Sequence, residues 1–214
     1  MLDLDPSTLI SHLIVLVIAF SFHEFAHAWT ANYFGDPTPK MNGRLTLNPL
    51  AHLDPIGALL LLVAGFGWAK PVPINPYALQ KRSSSAVMWV SLAGPASNLL
   101  MAIVAALPFR FGILSLTDAF IAIQTRSVHI LPTIPQIAYI FIQINLLLML
   151  FNLIPIAPLD GEKIVEYFFP PSWLQVLETI RPYGPILLMA IVFLGVLSYI
   201  INPPLSLLMR ILVG

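Results

Sequence analysis

The fold of this chain follows from residues 9–31, LISHLIVLVIAFSFHEFAHAWTA, an apolar stretch that carries His23, Glu24 and His27 in its second half. A membrane-spanning helix needs about 20 predominantly apolar residues, so this stretch is long enough to cross a bilayer. An ionisable side chain at the centre of a span costs about 2.5–3.5 kcal/mol on insertion scales, and three together need a compensating partner. The stretch therefore predicts a membrane-spanning helix that holds a functional site.

The composition extends this prediction to the whole chain. Its 214 residues are 58% hydrophobic and 9% charged, with a mean hydropathy of +0.87, whereas soluble domains average about 25% charged residues. We predict an all-α polytopic membrane protein with a three-helix core and an additional C-terminal span. The predicted core spans are residues 9–31, 86–109 and 134–154, and the C-terminal span is residues 185–201. Residues 56–68 are too few to cross and are predicted to re-enter the membrane, and residues 205–213 to lie at its interface.

The whole chain, residues 1–214, is predicted to form one integral membrane domain with its core at about residues 8–165, because no repeat, linker or polar module interrupts it. The formal net charge is +0 and no basic run is present, so no nucleic-acid partner is predicted. The absence of Cys excludes disulfides and thiolate metal ligands. Asp3 and Asp5 precede the first span without any Lys or Arg, which argues against a cleaved signal peptide. No oligomeric state is predicted.

Basic residues are distributed unequally between alternate sides of the predicted spans. One side carries Lys40, Arg44, Lys70, Lys81, Arg82, Lys163 and Arg181, and the other carries Arg110 and Arg126. The positive-inside rule therefore places the N-terminus outside and residues 35–85 and 155–182 in the cytosol. His23 and Asp160 are then predicted to share the cytosolic half of the protein.

The segment at residues 70–75, KPVPIN, is predicted to be an extended strand near the membrane, because proline disfavours helix at itself and at the preceding residue. Pro71 and Pro73 both remove N–H donors from one edge, whereas the other edge keeps those of Val72 and Ile74. Lipid-exposed backbone is costly, so the strand must line a cavity or pair with something. Val72 and Ile74 are the predicted substrate-binding residues, through β-strand addition of an unwound substrate segment.

The stretch His23-Glu24-Phe25-Ala26-His27 predicts a metal site. Residues four apart on a helix share one face, so His23 and His27 can bind a single ion, and Zn²⁺ is the predicted ion. Glu24 is placed to act as general base towards a water on that ion and then as general acid towards the leaving amine. Polar packing of the three side chains is the alternative, but their cost within a span favours a metal.

Asp160 is the strongest candidate for the third ligand that catalytic zinc usually takes. Pro155 and Pro158 end the third span, and Gly161 frees a turn that aims the carboxylate back at the bundle. The alternative role for Asp160 is to cap the following segment. Weaker candidates for the third ligand are Glu162, Asp54 and His52.

Asn152 is a predicted catalytic residue with two open roles. It either donates a hydrogen bond to the polarised scissile carbonyl or satisfies carbonyls freed at the end of the third span. Asn98 and Asn145 are predicted to form interhelical hydrogen bonds. The remaining histidines, His12 and His129, are predicted to be structural or solvated.

Together these motifs resemble the site-2 protease family of intramembrane metalloproteases. The resemblance is carried by His23-Glu24-x-x-His27, Asn152-x-x-Pro155 and Leu159-Asp160-Gly161. Similarity to the compact prokaryotic branch is carried by Gly94-Pro95-x-x-Asn98, by residues 43–57 with His52-x-Asp54-Pro55, and by residues 67–73. The similarity covers most of residues 15–165.

This resemblance implies a three-helix catalytic core in which His23, His27 and Asp160 bind zinc and Glu24 is the catalytic carboxylate. It implies cleavage of transmembrane protein substrates in or near the bilayer, in the cell membrane of a prokaryote, with the active site towards the cytosol. The family's membrane-embedded β segment would correspond to residues 70–75. The sequence contains no obvious PDZ or CBS module, so regulation by such modules is not carried over.

Three other classes of membrane protein use similar residues. A metal-ion binding or transport protein without protease activity needs a polar file through the bilayer, whereas the polar residues here gather at one end. A di-iron desaturase or hydroxylase needs more than the 5 His of this chain. A prenyl-protein protease also uses an HExxH helix but is expected to supply a Glu as third ligand, for which Glu162 is the candidate.

Overall fold

The computed structural model describes residues 5–55, 57, 69–124 and 131–214. Within these ranges the chain is built from helices, which confirms the predicted all-α class. The α-helices are α1 (Pro6–Tyr33), α2 (Thr38–Met41), α3 (Pro76–Arg82), α4 (Ala86–Arg110), α5 (Leu116–Gln124), α6 (Ile134–Asn152), α7 (Asp160–Phe168), α8 (Pro171–Ile180), α9 (Gly184–Phe193) and α10 (Val196–Val213). Short 3-10 turns lie at Pro49–Ala51 and Arg181–Tyr183.

Five helical segments of the described chain are long and apolar enough to cross a membrane. They are Pro6–Tyr33, Ala86–Arg110, Ile134–Asn152, Ser172–Phe193 and Val196–Val213. The first three correspond to the predicted core spans and agree with them within a few residues. The protein is therefore an integral, multi-pass membrane protein.

The C-terminal region differs from the single span predicted at residues 185–201. Helix α9 ends at Phe193 and α10 begins at Val196, because Gly195 adopts a φ of +71° that residues with side chains rarely take. Residues 205–213, predicted to lie at the interface, form the second half of α10. Hydropathy does not reveal this turn, because the residues on both sides of Gly195 are apolar. Such a run is compatible with one long span and also with two helices joined at the glycine. The assignment of the whole chain to one domain stays a prediction.

Helices α1, α4 and α6 pack together as the core. Small side chains are buried along them, and Ala19, Ala28 and Ala102 have no exposed surface at all. Small residues at helix interfaces allow backbones to approach closely within a membrane, where no hydrophobic effect drives association. The three helices therefore form a close-packed scaffold for side chains at one end of the bundle.

Polar contacts fix the opposite end of this core. The Asp5 carboxylate caps α1 by accepting from the N–H of Thr8 at 3.0 Å. Gln136, in the first turn of α6, donates to the hydroxyls of Ser7 and Thr8 at 3.1 Å each. His12 lies near this end with Nδ1 2.8 Å from the carbonyl oxygen of Thr8, which fits its predicted structural role. These contacts align α1 with α6 far from the predicted metal site.

Residues 70–75 are not helical, as their prolines require, but they do not form the predicted β-strand within the described chain. The β pairing seen in the described ranges is a single antiparallel bridge between Leu53 and Ala69. Pro71 and Pro73 lack the N–H groups that a ladder would need, so the segment is bonded mainly to side chains instead. The predicted re-entrant segment, residues 56–68, lies outside the described residues except for Gly57, and so does His129.

Candidate metal centre

Two histidines of α1 form one half of the site. His23 and His27 lie one turn apart and are 5% and 8% exposed, and their Nε2 atoms are 3.0 Å apart. The Nδ1 atom of His27 lies 2.7 Å from the backbone carbonyl oxygen of Val90 on α4. A carbonyl oxygen can only accept a hydrogen bond, so Nδ1 of His27 carries a proton and Nε2 is the nitrogen available to bind a metal.

A chain of hydrogen bonds across the three core helices fixes His23 in the same way. Asn145 Nδ2 donates to the Phe141 carbonyl at 2.8 Å, so Asn145 Oδ1 accepts from Asn98 Nδ2 at 2.9 Å. Asn98 Oδ1 therefore accepts from His23 Nδ1 at 2.6 Å, which leaves His23 Nε2 with a lone pair. The predicted interhelical role of both asparagines is confirmed. Sequence reasoning missed that Asn98 also orients a predicted metal ligand.

Asp160 forms the other half of the site and comes from the connection between α6 and α7. It is the first residue of α7, where Leu159 is the N-cap residue and no side chain caps the helix. The alternative role of Asp160 as a helix cap is therefore wrong. A Cβ on Gly161 would come within 2.4 Å of the carbonyl oxygens of Leu153 and Ile154. Gly161 thus lets α7 begin directly against the end of α6, so its role is close approach rather than a free turn.

The three side chains converge on one point. Asp160 Oδ2 lies 3.2 Å from the Nε2 atoms of both His23 and His27. Tetrahedral zinc with bonds of about 2.0–2.2 Å places its ligand atoms about 3.3–3.6 Å apart, close to these distances. In the described part of the chain, Asp160 Oδ2 is buried without a hydrogen-bond partner. Three potential ligand atoms facing one another at these distances can share one cation, so the donor set fits Zn²⁺.

The charge of Asp160 suits this role. Burial by itself raises the pKa of the Asp160 carboxyl, but the neighbouring His27 and His23 together outweigh it and hold that pKa well below its usual range. The carboxyl is therefore an anion at neutral pH. When a metal ion supplies the positive charge in place of a proton on an imidazole, two neutral imidazoles and one carboxylate would form a donor set that catalytic zinc sites commonly use, with a further position left for water.

A glycine of α4 provides the space for an ion. A Cβ on Gly94 would lie 2.4 Å from His27 Nε2 and 2.6 Å from His23 Nε2. Any side chain at this position would occupy the volume beside both nitrogens. The Gly94-Pro95-x-x-Asn98 motif thus has two features one helical turn apart, since Gly94 leaves space beside both Nε2 atoms and Asn98 accepts a hydrogen bond from His23.

A cavity of about 320 Å³ opens in front of the three ligand atoms. Glu24 lines it and is 8% exposed, and its Oε2 accepts a hydrogen bond from the backbone N–H of Val72 at 3.1 Å. Val72, Ile74 and Asn152 line the same cavity. The structure therefore brings together every predicted site residue around one space.

Asn152 has a partner at the end of α6. Its Nδ2 donates to the carbonyl oxygen of Leu148, one turn earlier in the same helix, at 2.9 Å. That carbonyl is not one freed by the helix end, so both predicted roles of Asn152 stay open. That bond uses one of the two amide protons, so a second hydrogen bond into the cavity is compatible with it.

Two further residues of the cavity wall were missed by sequence reasoning. Lys163 of α7 and Ser91 of α4 both line it. Pro95 lacks the N–H that would bond the Ser91 carbonyl in a regular helix, so a proline inside α4 was a usable signal for a freed carbonyl four residues earlier. For Lys163, the sequence offered no indication of a place in the cavity wall other than its position one helical turn after Asp160.

The segment that carries Val72 is held at several points. The N–H of Lys70 donates to a backbone carbonyl of the preceding loop at 2.8 Å, and that of Val72 donates to Glu24. The N–H of Asn75 donates to the fully buried carboxylate of Asp36 at 2.6 Å. These bonds place residues 70–75 along one wall of the cavity.

The weaker candidates for the third ligand have other partners. Glu162 is bonded to Arg181, and His52 Nε2 donates to the carbonyl oxygen of Thr46 at 2.8 Å. Asp54 accepts a backbone N–H from three residues later at 2.8 Å. The group of potential ligands found among the described residues is His23, His27 and Asp160. A prenyl-protein protease is expected to use a Glu as third ligand, but here Asp160 and not Glu162 lies beside the two histidines.

Comparison with known proteins adds independent information. The sequence profile of peptidase family M50 matches residues 11–194. YwhC of Bacillus subtilis, which is named as a zinc metalloprotease, is 41% identical over 202 residues that cover 94% of this chain and 89% of YwhC. Rip2 of Mycolicibacterium smegmatis, named in the same way, is 33% identical over 204 residues that cover 90% of this chain and 69% of Rip2. No solved structure matches the chain at a significant level.

Membrane-crossing helices and a buried His-His-Asp group beside a glutamate define a metal-dependent peptidase of the membrane. The chain belongs to peptidase family M50, the site-2 protease family. This membership confirms the resemblance seen in the sequence, the expected class of intramembrane zinc metalloprotease, and Zn²⁺ as the cofactor. The alternative of a metal-binding or transport protein without protease activity is not favoured.

Proposed function

We propose that this protein hydrolyses peptide bonds of transmembrane protein substrates, with His23, His27 and Asp160 as zinc ligands and Glu24 as the catalytic carboxylate. The observation that carries this proposal is the convergence of the three ligand atoms, at 3.0–3.2 Å from one another, beside a cavity that Glu24 lines. These three residues would hold Zn²⁺, which would supply Lewis-acid polarisation of the scissile carbonyl and make water more acidic at the site.

Glu24 moves the proton in this mechanism. The Val72 N–H holds Glu24 Oε2 at 3.1 Å and so fixes the orientation of the carboxylate towards the cavity. Glu24 accepts a proton from the attacking water and then donates it to the nitrogen of the leaving amine. Asn152, on the cavity wall, is placed to donate its second amide proton to the substrate carbonyl.

Residues 70–75 receive the unwound substrate segment in this proposal. A helix in lipid has all its peptide groups bonded internally, so cleavage requires new partners for the bonds that open. The N–H of Val72 is bonded to Glu24, whereas that of Ile74 has no partner within the described ranges. Ile74 is therefore the first donor available for β-strand addition, and Val72 acts mainly through Glu24.

The predicted location supports the same function. We place the protein in the cell membrane of a prokaryote with the metal centre towards the cytosol, because basic residues concentrate on that side. Its relatives YwhC and Rip2 come from bacteria. Labelling of single cysteines introduced at Lys81 and Arg126 in intact cells tests the orientation, and we expect only position 126 to react with an impermeant reagent.

Glu24→Gln tests the proposed function most directly. Purified wild type and variant are analysed for zinc, and both are co-expressed with a panel of single-pass membrane proteins whose cleavage is followed. We expect both proteins to hold equal zinc and the variant to lose at least about 100-fold in cleavage, since general acid–base catalysis contributes about 10²–10⁴. Full cleavage by the variant would remove Glu24 from this role, and absence of zinc from both would refute the metal centre.

A further inference from the structure

We propose that Arg181 is a positioning residue for the metal centre, because it binds Glu162 and thereby sets the place of Asp160 at the start of α7. Arg181 lies in the 3-10 turn between α8 and α9, outside the three-helix core. The inference rests on the proposed role of Asp160 as a zinc ligand. It extends that role by assigning the C-terminal helices a part in building the site.

Arg181 connects the C-terminal helices to α7 through two carboxylates. Its Nε donates to Glu162 Oε1, and its Nη2 donates to Glu166 Oε2 at 2.8 Å. The side chain of Glu162 is 7% exposed, whereas that of Glu166 is 41% exposed. A buried carboxylate that loses its cation is strongly destabilised, so the bond to Glu162 is the one that constrains α7. Glu162 lies within the same helical turn as Asp160, so a shift of one backbone moves the other.

A second contact reaches the connection that precedes Asp160. A Cβ on Gly184, the first residue of α9, would lie 2.3 Å from the carbonyl oxygen of Ala157 and 2.8 Å from its Cβ. The backbone of α9 therefore lies directly against the connection three residues before the ligand. A buried apolar cluster continues this contact, and its members are Ile154, Leu159, Leu188 and Ile201.

The remaining interface between these parts is incomplete. A cavity of about 180 Å³ lies between the Asp160 connection and helices α8 and α9, and Glu162, Arg181 and Gly184 line it. The cavity interrupts the packing around Glu162 and Arg181, whereas the apolar cluster that includes Leu159 and Leu188 keeps the two parts in contact elsewhere.

No hydrogen bond orients the Asp160 Oδ2 atom that faces the two histidines in the described residues. His23 and His27, by contrast, are each oriented through Nδ1 by α4. The position of the carboxylate therefore follows from the backbone of α7. The core already seats the start of α7, through its packing against α4 and the close contact of Gly161 with the end of α6. The contacts of Arg181 and Gly184 act on the same backbone from the other side, so the C-terminal helices contribute to the position of the third ligand.

The test is the zinc affinity of the purified full-length protein, measured by competition with a chelator, for Arg181→Gln, Arg181→Lys and Gly184→Ala. We expect Arg181→Gln and Gly184→Ala to weaken zinc binding by about 10–100-fold, the usual cost of removing a group that orients a metal ligand. Arg181→Lys keeps the positive charge beside the buried Glu162 but cannot bond both carboxylates as the guanidinium does, so its affinity should lie between those of wild type and Arg181→Gln. Co²⁺ substitution gives a second readout, and the Arg181→Gln spectrum should shift towards that of Asp160→Ala.

Arg110→Gln is the matched control. Arg110 donates from α4 to the carbonyl oxygens of Leu212 and Ile211, so it also attaches a C-terminal helix to the core, but far from Asp160. We expect its zinc affinity and Co²⁺ spectrum to match those of wild type. Equal losses in Arg110→Gln and Arg181→Gln would overturn the inference by showing a general effect of loosened helices.

Two further outcomes separate this inference from the proposed function. Wild-type affinity and an unchanged Co²⁺ spectrum in Arg181→Gln, together with loss of zinc in Asp160→Ala, would overturn the positioning role and leave the ligand assignment intact. Undiminished zinc binding in Asp160→Ala would overturn the ligand assignment and the positioning role with it.

Discussion

The two halves of the metal centre are built in different ways. His23 and His27 project from a regular helix inside the core, and both imidazoles are oriented by hydrogen bonds to α4 at 2.6 and 2.7 Å. Asp160 comes from the start of a short helix after an irregular connection, and its Oδ2 has no such bond in the described structure. The histidine half is fixed by the core, whereas the aspartate half depends on how the connection after α6 is packed.

This difference has a physical basis. Imidazole needs one tautomer and one ring orientation to bind a metal, and a neighbouring acceptor at Nδ1 supplies both. A carboxylate has no tautomers to select, so whether Asp160 reaches the metal depends mainly on where the backbone of α7 places it. We therefore expect substitutions near the histidines to act on the space and orientation of ligands, and substitutions near Asp160 to act through backbone displacement.

The largest effect on zinc should come from Gly94→Ala, which removes the space of the histidine half. The new Cβ would lie 2.4 Å from His27 Nε2, so the rings or the ion must move. We expect zinc content to fall below detection by metal analysis while the helical circular dichroism is kept, because Ala favours a helix more than Gly does. Ala96→Ser on an exposed position of the same helix is the control and should bind zinc normally. Zinc retained in Gly94→Ala would disprove that Gly94 provides the space.

Asp160→Asn should have the next largest effect, and it acts on the aspartate half alone. The amide cannot supply an anionic oxygen, so we expect zinc affinity to fall by more than about 100-fold, beyond the cost of losing an orienting group. The histidine pair should still bind Co²⁺ weakly, with an altered spectrum. A variant with full affinity would mean that the third ligand lies elsewhere.

Asn98→Ala should reduce zinc affinity by about 10–100-fold, because His23 Nδ1 loses its acceptor. Asn145→Ala removes the next group in the same chain and leaves Asn98 in place, so its effect should be smaller. Chelator competition on both variants measures the difference. Equal losses, or a larger loss in Asn145→Ala, would show that the chain acts through helix packing instead of through His23.

Val72→Pro should leave both halves of the metal centre intact and change only turnover. Proline removes the N–H that Glu24 accepts at 3.1 Å, and a hydrogen bond to a charged group contributes about 1.5–3 kcal/mol. We expect cleavage to slow by about 10–100-fold with zinc content unchanged. Val72→Ala keeps the N–H and is the matched control, so its rate should stay near that of wild type. Loss of zinc in Val72→Pro would show that the segment supports the metal centre itself.

Much of the membrane fold could be predicted from the sequence. The core spans at residues 9–31, 86–109 and 134–154 agree with α1, α4 and α6, because an apolar length is a local property of the chain. The turn at Gly195 could not be predicted, since the apolar residues on both sides satisfy one long span as well as two helices. The prediction of a strand at residues 70–75 was wrong for a related reason. Proline makes the backbone extended locally, but a β-strand also needs a neighbouring segment to pair with.

The sequence by itself determined that His23 and His27 lie on one face of a helix, with Glu24 beside them, since helical spacing places residues four apart on one face whatever surrounds them. It also indicated Asp160 as the strongest candidate for the third ligand, first through the prolines and glycine around it and then through the resemblance to a known family. Only the tertiary structure decided that Gly94 leaves the space beside the imidazoles and that Asn98 orients His23. These roles depend on distances between helices far apart in the chain, and no local pattern of residues fixes such distances.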